Sequence, residues 1–235
     1  MASLVLDKPL PRGIDLPYED GEPLESDWHL AAMTLLLHIL RYHYRDRTDH
    51  YVAGNMFVYF DPDQVKTRNF RGPDFFVVKG VTSPHFRNSW VVWEEGGLTP
   101  DYVIALASES TKAFDLHGKK AIYEQQLKTP EYIVYDPTSE QLQGWRLDQH
   151  GHYQIIMPDE RGWLWSEQLK LWLGAADYRF TGAETVKTLR FFKLDGRCLP
   201  TEAEVQARRA EEQTARAVAA EAELVRLKAE LAIKS

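Results

Sequence analysis

The residues of this chain best suited to chemistry are acids and lysines between Arg71 and Pro137. Pro73-Asp74 opens the apolar run Phe75-Phe76-Val77-Val78, and Pro100-Asp101 opens a second run from Tyr102 to Ala107. Behind these stand Ser108-Glu109-Ser110-Thr111, then Asp115 with Lys119 and Tyr123 four and eight positions further on, then Glu131 to Tyr135. An acid at a strand start, a second strand, a helix carrying a lysine and a third strand form a layout suited to metal-dependent cleavage of a phosphodiester. That reaction needs an activated water, a stabilised pentavalent phosphate and a neutralised leaving oxygen, which a divalent ion on hard carboxylate oxygens supplies. A lysine beside the phosphate stabilises the developing charge. Asp115, one helical turn before Lys119, is spaced to pair with it and fix it. Lys120 points about 100° away from its neighbour, so only one of the two lysines can face such a site.

These residues need a scaffold, and the chain supplies one. Residues 1–24 carry Pro9, Pro11, Pro17 and Pro23 and read as an irregular arm. Ser26 is placed to cap a helix that is apolar on most sides from Trp28 to Leu40. Tyr51 to Phe60 reads as one strand, Asp61-Pro62-Asp63 as a turn, and Asp74 to Lys79 as a second strand ended by Gly80. Thr111 to Leu127 reads as a helix stopped by Pro130, with Ser108 and Thr111 as capping residues. Gln143 to Leu147 and His152 to Met157 read as a hairpin, and Trp163-Leu164-Trp165 begins an aromatic segment ending near Gly174. Thr201 with Glu204 forms a capping box, and the residues from there to Ser235 include no Gly or Pro. One heptad frame places Ala210, Gln213, Ala217, Ala220, Leu224, Leu227 and Leu231 on a single seam, the pattern of a short coiled coil. The division expected is an arm over 1–24, an α/β domain over 25–200 and a C-terminal helix over 201–235, through which the chain forms a homo-oligomer.

With 235 residues, 44% of them hydrophobic, the chain can bury a sizeable core, and seven Trp, eleven Tyr and ten Phe make that core aromatic. One cysteine, Cys198, excludes an intrachain disulfide and reads as a small packing residue in a reducing, cytoplasmic setting. No run approaches the ~18 apolar residues of a membrane span, so no membrane partner is expected. The net charge of −7 has the wrong sign for bulk attraction to nucleic acid. The acids concentrate between Ile14 and Asp27, however, while Lys66, Arg68, Arg71, Lys79 and Arg87 make a basic stretch around Asp74 that reads equally as a solvated loop or as a phosphate-contacting rim. Among the histidines only His29 stands in a motif-like context, and it lacks a partner at zinc-binding spacing.

The order of these motifs resembles the Uma2 family of endonucleases, within the PD-(D/E)XK nuclease superfamily. The likeness extends from Leu16-Pro17-Tyr18-Glu19-Asp20-Gly21 and His29, through Asp49 to Gly54, to Leu189-Arg190-Phe191-Phe192 with Gly196 and Leu199. It covers about residues 10 to 205. The resemblance implies a restriction-endonuclease-like α/β core, a central mixed sheet flanked by helices, with a C-terminal coiled-coil helix. It implies a Mg²⁺- or Mn²⁺-dependent hydrolase acting on nucleic acid, DNA foremost. Asp74 would be the first metal ligand, Glu25 an extra ligand, Lys119 the catalytic lysine and Asp115 its support. One departure stands out. The family's strand usually carries a metal-holding Glu where this chain has Ala105, and Ala107 occupies the strand-lysine position of related nucleases. Glu109 shares a strand face with Ala105 but lies about 13 Å along it, too far to substitute. The expectation is therefore an endonuclease with weak metal binding and impaired hydrolysis. The alternative is an inactive nuclease-fold module that binds nucleic acid or protein and assembles through its tail.

Overall fold

The computed structural model describes residues 10–18, 26–64, 72–83, 85–180 and 184–234. Glu25, Lys66, Arg68 and Arg71 lie outside them. The chain divides into two units, residues 1–199 and 200–235.

The first unit is built on a six-stranded mixed sheet. Helix α1 (Asp27–His43) precedes strands β1 (His50–Ala53), β2 (Val58–Tyr59), β3 (Phe75–Lys79), β4 (Trp90–Val91) and β5 (Tyr102–Leu106). Helix α2 (112–125) leads to β6 (Glu131–Asp136), β7 (Gln141–Leu147) and β8 (Tyr153–Ile155), and then to β9 (Leu164–Ser166), β10 (Leu171–Arg179) and β11 (Thr185–Phe192). The main sheet runs β1-β3-β5-β6-β7-β8, with β5 and β6 parallel and its other neighbours antiparallel. That single parallel step is what α2 bridges. A three-stranded sheet β11-β10-β9 and a parallel pair β2-β4 complete the unit.

Both faces of the main sheet are covered, so its central strands are apolar throughout rather than alternating. On one face Phe75, Val77, Tyr102, Ile104, Ile133 and Tyr135 pack with α1 and with β10 and β11. On the other, Phe76, Val78, Val103, Ala105, Tyr132 and Val134 pack with Tyr123 and Leu127 of the α2 region and with Trp90. Helix α1 starts where the Ser26 hydroxyl accepts the His29 N–H at 3.1 Å. It buries Leu36, Ile39 and Leu40 completely, each contributing on the order of 2 kcal/mol. Its burial is one-sided, since Leu30 stays 44% exposed.

Four expectations change. The single strand from Tyr51 to Phe60 is two strands in different sheets, broken at Gly54 and Asn55, where Asn55 takes a left-handed conformation (φ 47°). The helix from Thr111 is not uniformly α, because Asp115–Lys119 is a π-helical turn. The aromatic segment continues past Gly174 into a long hairpin, β10 with β11. Cys198 is exposed rather than packed.

The second unit is one helix, α3 (Glu202–Lys234). Its capping box forms reciprocally: the Thr201 N–H donates to Glu204 Oε2 at 2.6 Å and the Glu204 N–H to Thr201 Oγ1 at 3.1 Å. Leu224, Leu227 and Leu231 are exposed. Among the described residues no helix is long and apolar enough to cross a membrane.

Candidate functional site

Asp74 sits where the pairing of β3 with β5 runs out. The register opposes Phe75 to Ile104 and Phe76 to Val103, so one further step opposes Asp74 to Ala105. Beyond that point the Leu106 N–H has no strand partner on the β3 side. The Asp74 carboxylate takes the role, accepting that N–H on Oδ2 at 2.7 Å. Its other oxygen, Oδ1, lies 2.9 Å from Nε2 of His29, and both side chains are largely buried. With its proton on Nε2 the imidazole donates to the carboxylate. The backbone beneath is tight. A Cβ on Gly54 would lie 2.2 Å from the Asp74 carbonyl oxygen, so only glycine lets the end of β1 approach this closely.

The lysine side of the site belongs to α2. Ser108 and Thr111 exchange hydrogen bonds, Thr111 N–H to Ser108 Oγ and Ser108 N–H to Thr111 Oγ1, and so shape the turn into the helix. Within the π-helical turn, Lys119 Nζ is 2.6 Å from Asp115 Oδ1. A π turn is a common device at functional sites. Lys120 goes elsewhere, its ammonium 4.7 Å from the centre of the Trp145 ring. The Tyr132 hydroxyl donates to the Asp115 carbonyl at 2.9 Å, tying this turn to β6.

Electrostatics join the two halves. Burial raises the Asp115 carboxyl pKa, the charge of Asp74 adds to the rise, and Lys119 with a hydrogen bond to Thr111 opposes it. Burial likewise pushes the Tyr132 hydroxyl well above its ordinary range, with Tyr123, Asp115 and Asp74 adding to it. Asp74 is thus close enough to act on the charge of Asp115, which Lys119 holds. Ala105 and Ala107 are buried in the adjoining apolar cluster with Tyr123 and Tyr132. Glu109 is exposed in the turn after β5.

Two contacts here leave no trace in sequence spacing. His29 meets Asp74 across 45 positions, and Lys112 reaches Asp136 across 24, at 2.6 Å. Lys112, then Ser139, hold the Asp136 carboxyl down to about 2. Of the basic stretch, the two residues described are engaged: Arg87 holds Glu95 bidentately through Nε and Nη2, and Lys79 Nζ bonds Gln168 Oε1 at 2.5 Å.

Among the described residues no three His, Cys, Asp or Glu side chains cluster to hold a metal. Of the acids near Asp74, Asp115 is bound by Lys119, and the position facing Asp74 is a methyl group.

The sequence matches the Uma2 family, described as "Putative restriction endonuclease", over residues 4–176. Among solved structures, one of a "putative nuclease belonging to DUF820" from Anabaena variabilis is 14% identical, covering 60% of this chain and 76% of its own at a TM-score of 0.42. No curated protein matches.

Proposed function

From the fact that the chain belongs to the Uma2 family, we propose that it is a nucleic-acid-directed member of that endonuclease family whose hydrolysis is impaired at one ligand position. The observation that carries this is the register of β3 with β5, which, continued one step past Phe75 and Ile104, opposes Asp74 to Ala105. Where a second carboxylate would face the first, the strand presents a buried methyl group. Asp74 is the carboxylate a Mg²⁺ or Mn²⁺ ion would depend on, and His29 competes for its Oδ1. Binding is therefore weak unless Glu25 contributes. Lys119, held by Asp115, retains N–H donors for a phosphate oxygen.

Mn²⁺ titration and cleavage of plasmid and single-stranded DNA test the reading together. Wild type should bind Mn²⁺ weakly and cut slowly or not at all. Ala105→Glu should raise affinity about tenfold or more, whereas Ala105→Gln, equal in size and equally buried, should not. The gain should vanish with Asp74→Ala. Robust cleavage by wild type that disappears in Glu25→Ala would place the second ligand at Glu25 and overturn the impaired reading.

The same proposal includes parallel self-association of α3 through Leu224, Leu227 and Leu231, since a lone helix with this apolar seam is marginal in water. Leu224→Lys with Leu227→Lys should lower the mass per particle in light scattering, and an unchanged mass rules the association out.

A further inference from the structure

At the end of α1 away from His29 lies a cleft of about 310 Å³ whose lining includes Arg41, Arg45, Arg47, Tyr51, His85 and Phe86 and contains no carboxylate. His29 and Arg41 are twelve helical residues apart, about 18 Å at 1.5 Å per residue, so this cleft is separate from the Asp74 site. It adjoins a larger cleft of about 620 Å³ that shares Tyr44, Arg47 and His50 and adds Lys79, Lys170 and Lys193 together with one carboxylate, Asp49. We propose that this surface binds single-stranded nucleic acid, its arginines meeting phosphates and Phe86 stacking on an unpaired base.

Three observations support this occupant. First, the cations are concentrated against the overall balance, for a chain of net charge −7 lines this cleft with three arginines. The helix dipole accounts for Arg41 in the last turn of α1. It accounts in part for Arg45, whose Nη1 donates to the Tyr42 carbonyl of that turn at 2.9 Å, but not for Arg47, which lies past the helix end. Second, their counterions leave them available. Arg45 meets Asp46 only at 3.4 Å with both side chains more than half exposed, and Arg41 donates to the Val52 carbonyl. Arg47 is the exception, bound to Asp49 at 2.7 Å. Third, aromatic faces interleave with the charges. Arg45 lies 4.4 Å from the centre of the Tyr42 ring, Tyr44 stacks on His50 at 4.2 Å, and Phe86 is 99% exposed. A lone exposed phenylalanine is ordinary. One at the rim of an arginine-lined cleft is a stacking platform of the kind that holds single strands without sequence preference. A duplex keeps its bases stacked inside and offers such a ring nothing, so the aromatic content selects a single strand over a duplex. An acidic peptide would satisfy the arginines but leave Phe86 unused.

The inference does not require the Asp74 site to cut, and its test separates the two. Fluorescein-labelled dT12 is titrated by anisotropy with the full-length protein in EDTA over a range of NaCl concentrations. Wild type should bind dT12 more tightly than a 12-base-pair duplex. Phe86→Ala should weaken dT12 binding about fivefold or more, the low end for one lost base stack. Arg45→Gln should weaken it several-fold and reduce the magnitude of the log–log salt slope by about 0.7. Asp74→Ala should leave it unchanged. Both cleft positions are exposed, and melting curves matching wild type confirm that the fold is intact. Equal affinity in wild type, Phe86→Ala and Arg45→Gln overturns the proposal. So does loss of binding in Asp74→Ala, or competition by poly-glutamate as effective as by unlabelled dT12.

Discussion

Strand β6 touches two buried acids from opposite faces of the sheet, and the two are treated differently. Glu131, facing the second sheet, has both oxygens occupied: Oε1 accepts Arg146 Nε at 2.7 Å and the Glu167 N–H at 2.9 Å, and Oε2 accepts the Ser166 hydroxyl. Arg146 is fixed in turn by the Trp165 carbonyl at 2.6 Å. The next residue, Tyr132, faces the other way and holds the backbone of Asp115. The Asp115 carboxylate rests chiefly on one lysine, with Asp74 near enough to disfavour its charge. Glu131 welds β6 and β7 to the segment after β9. Asp115 holds a partly exposed lysine beside a like charge. A buried charge with every lone pair satisfied is architecture, whereas one held by a single long side chain beside a like charge is the arrangement found at functional sites.

The largest effect expected from this contrast is on stability at Glu131. Glu131→Ala strands the buried Ser166 hydroxyl and the Glu167 N–H and removes the partner of Arg146, itself a third exposed, and should cost about 2 kcal/mol or more. Urea unfolding at constant m-value measures it. A loss below about 1 kcal/mol would make Glu131 no more architectural than Asp115.

A smaller loss should follow at Gly54, on the Asp74 side. Gly54→Ala forces the backbone of β1 away from the Asp74 carbonyl and should cost about 1 to 3 kcal/mol. Because Asp74 moves with its backbone, the His29 ring resonances should shift in NMR spectra. Unaltered His29 resonances would mean the carboxylate is positioned by α1 and β5 alone.

How far these roles were legible from sequence depends on the range of each contact. Asp115 and Lys119 lie one turn apart, so their pairing followed from helix spacing, which also allows only one of Lys119 and Lys120 to face a given side; the choice of Lys119 came from the family resemblance. Strands β3, β5 and β6 announced themselves as apolar runs after Pro-Asp or before Asp-Pro. The break between β1 and β2 was missed because Tyr51 to Phe60 reads as a continuous strand, and the approach of the Asp74 backbone that demands Gly54 comes from residues twenty positions away. The π turn was missed because the helix pattern from Thr111 to Leu127 does not register a single widened turn, although Gly118 within it is a poor helix former. His29 and Asp74 meet only because α1 and β3 pack together, and no local spacing encodes that. The contact of Arg87 with Glu95 joins residues eight positions apart in a loop, where no regular spacing announces a pair.

The smallest effect in free energy, and the sharpest test of the contrast, is removal of the Asp115–Lys119 pair. Asp115→Asn with Lys119→Met deletes both charges at similar volume, so the change at pH 7 should fall within about 1 kcal/mol in either direction. The pH dependence carries the sign. The folded pKa of Asp115 is raised above its ordinary 3.8, mainly by burial. From pH 3.8 up to the raised value, the folded chain therefore binds a proton that the unfolded chain has released. Stability contributed by this group falls as pH rises through that window. The wild type should thus be most favoured relative to the double variant near pH 3.5 and lose ground toward neutrality. Asp136 has the opposite sign: Lys112 and Ser139 hold it down to about 2, so its contribution is present above pH 3.8 and lost as pH falls toward 2. Asp136→Asn serves as the internal control. Should the wild type instead gain on the Asp115/Lys119 variant as pH rises, the ion pair outweighs burial. Asp115 would then be an architectural acid of the same kind as Glu131.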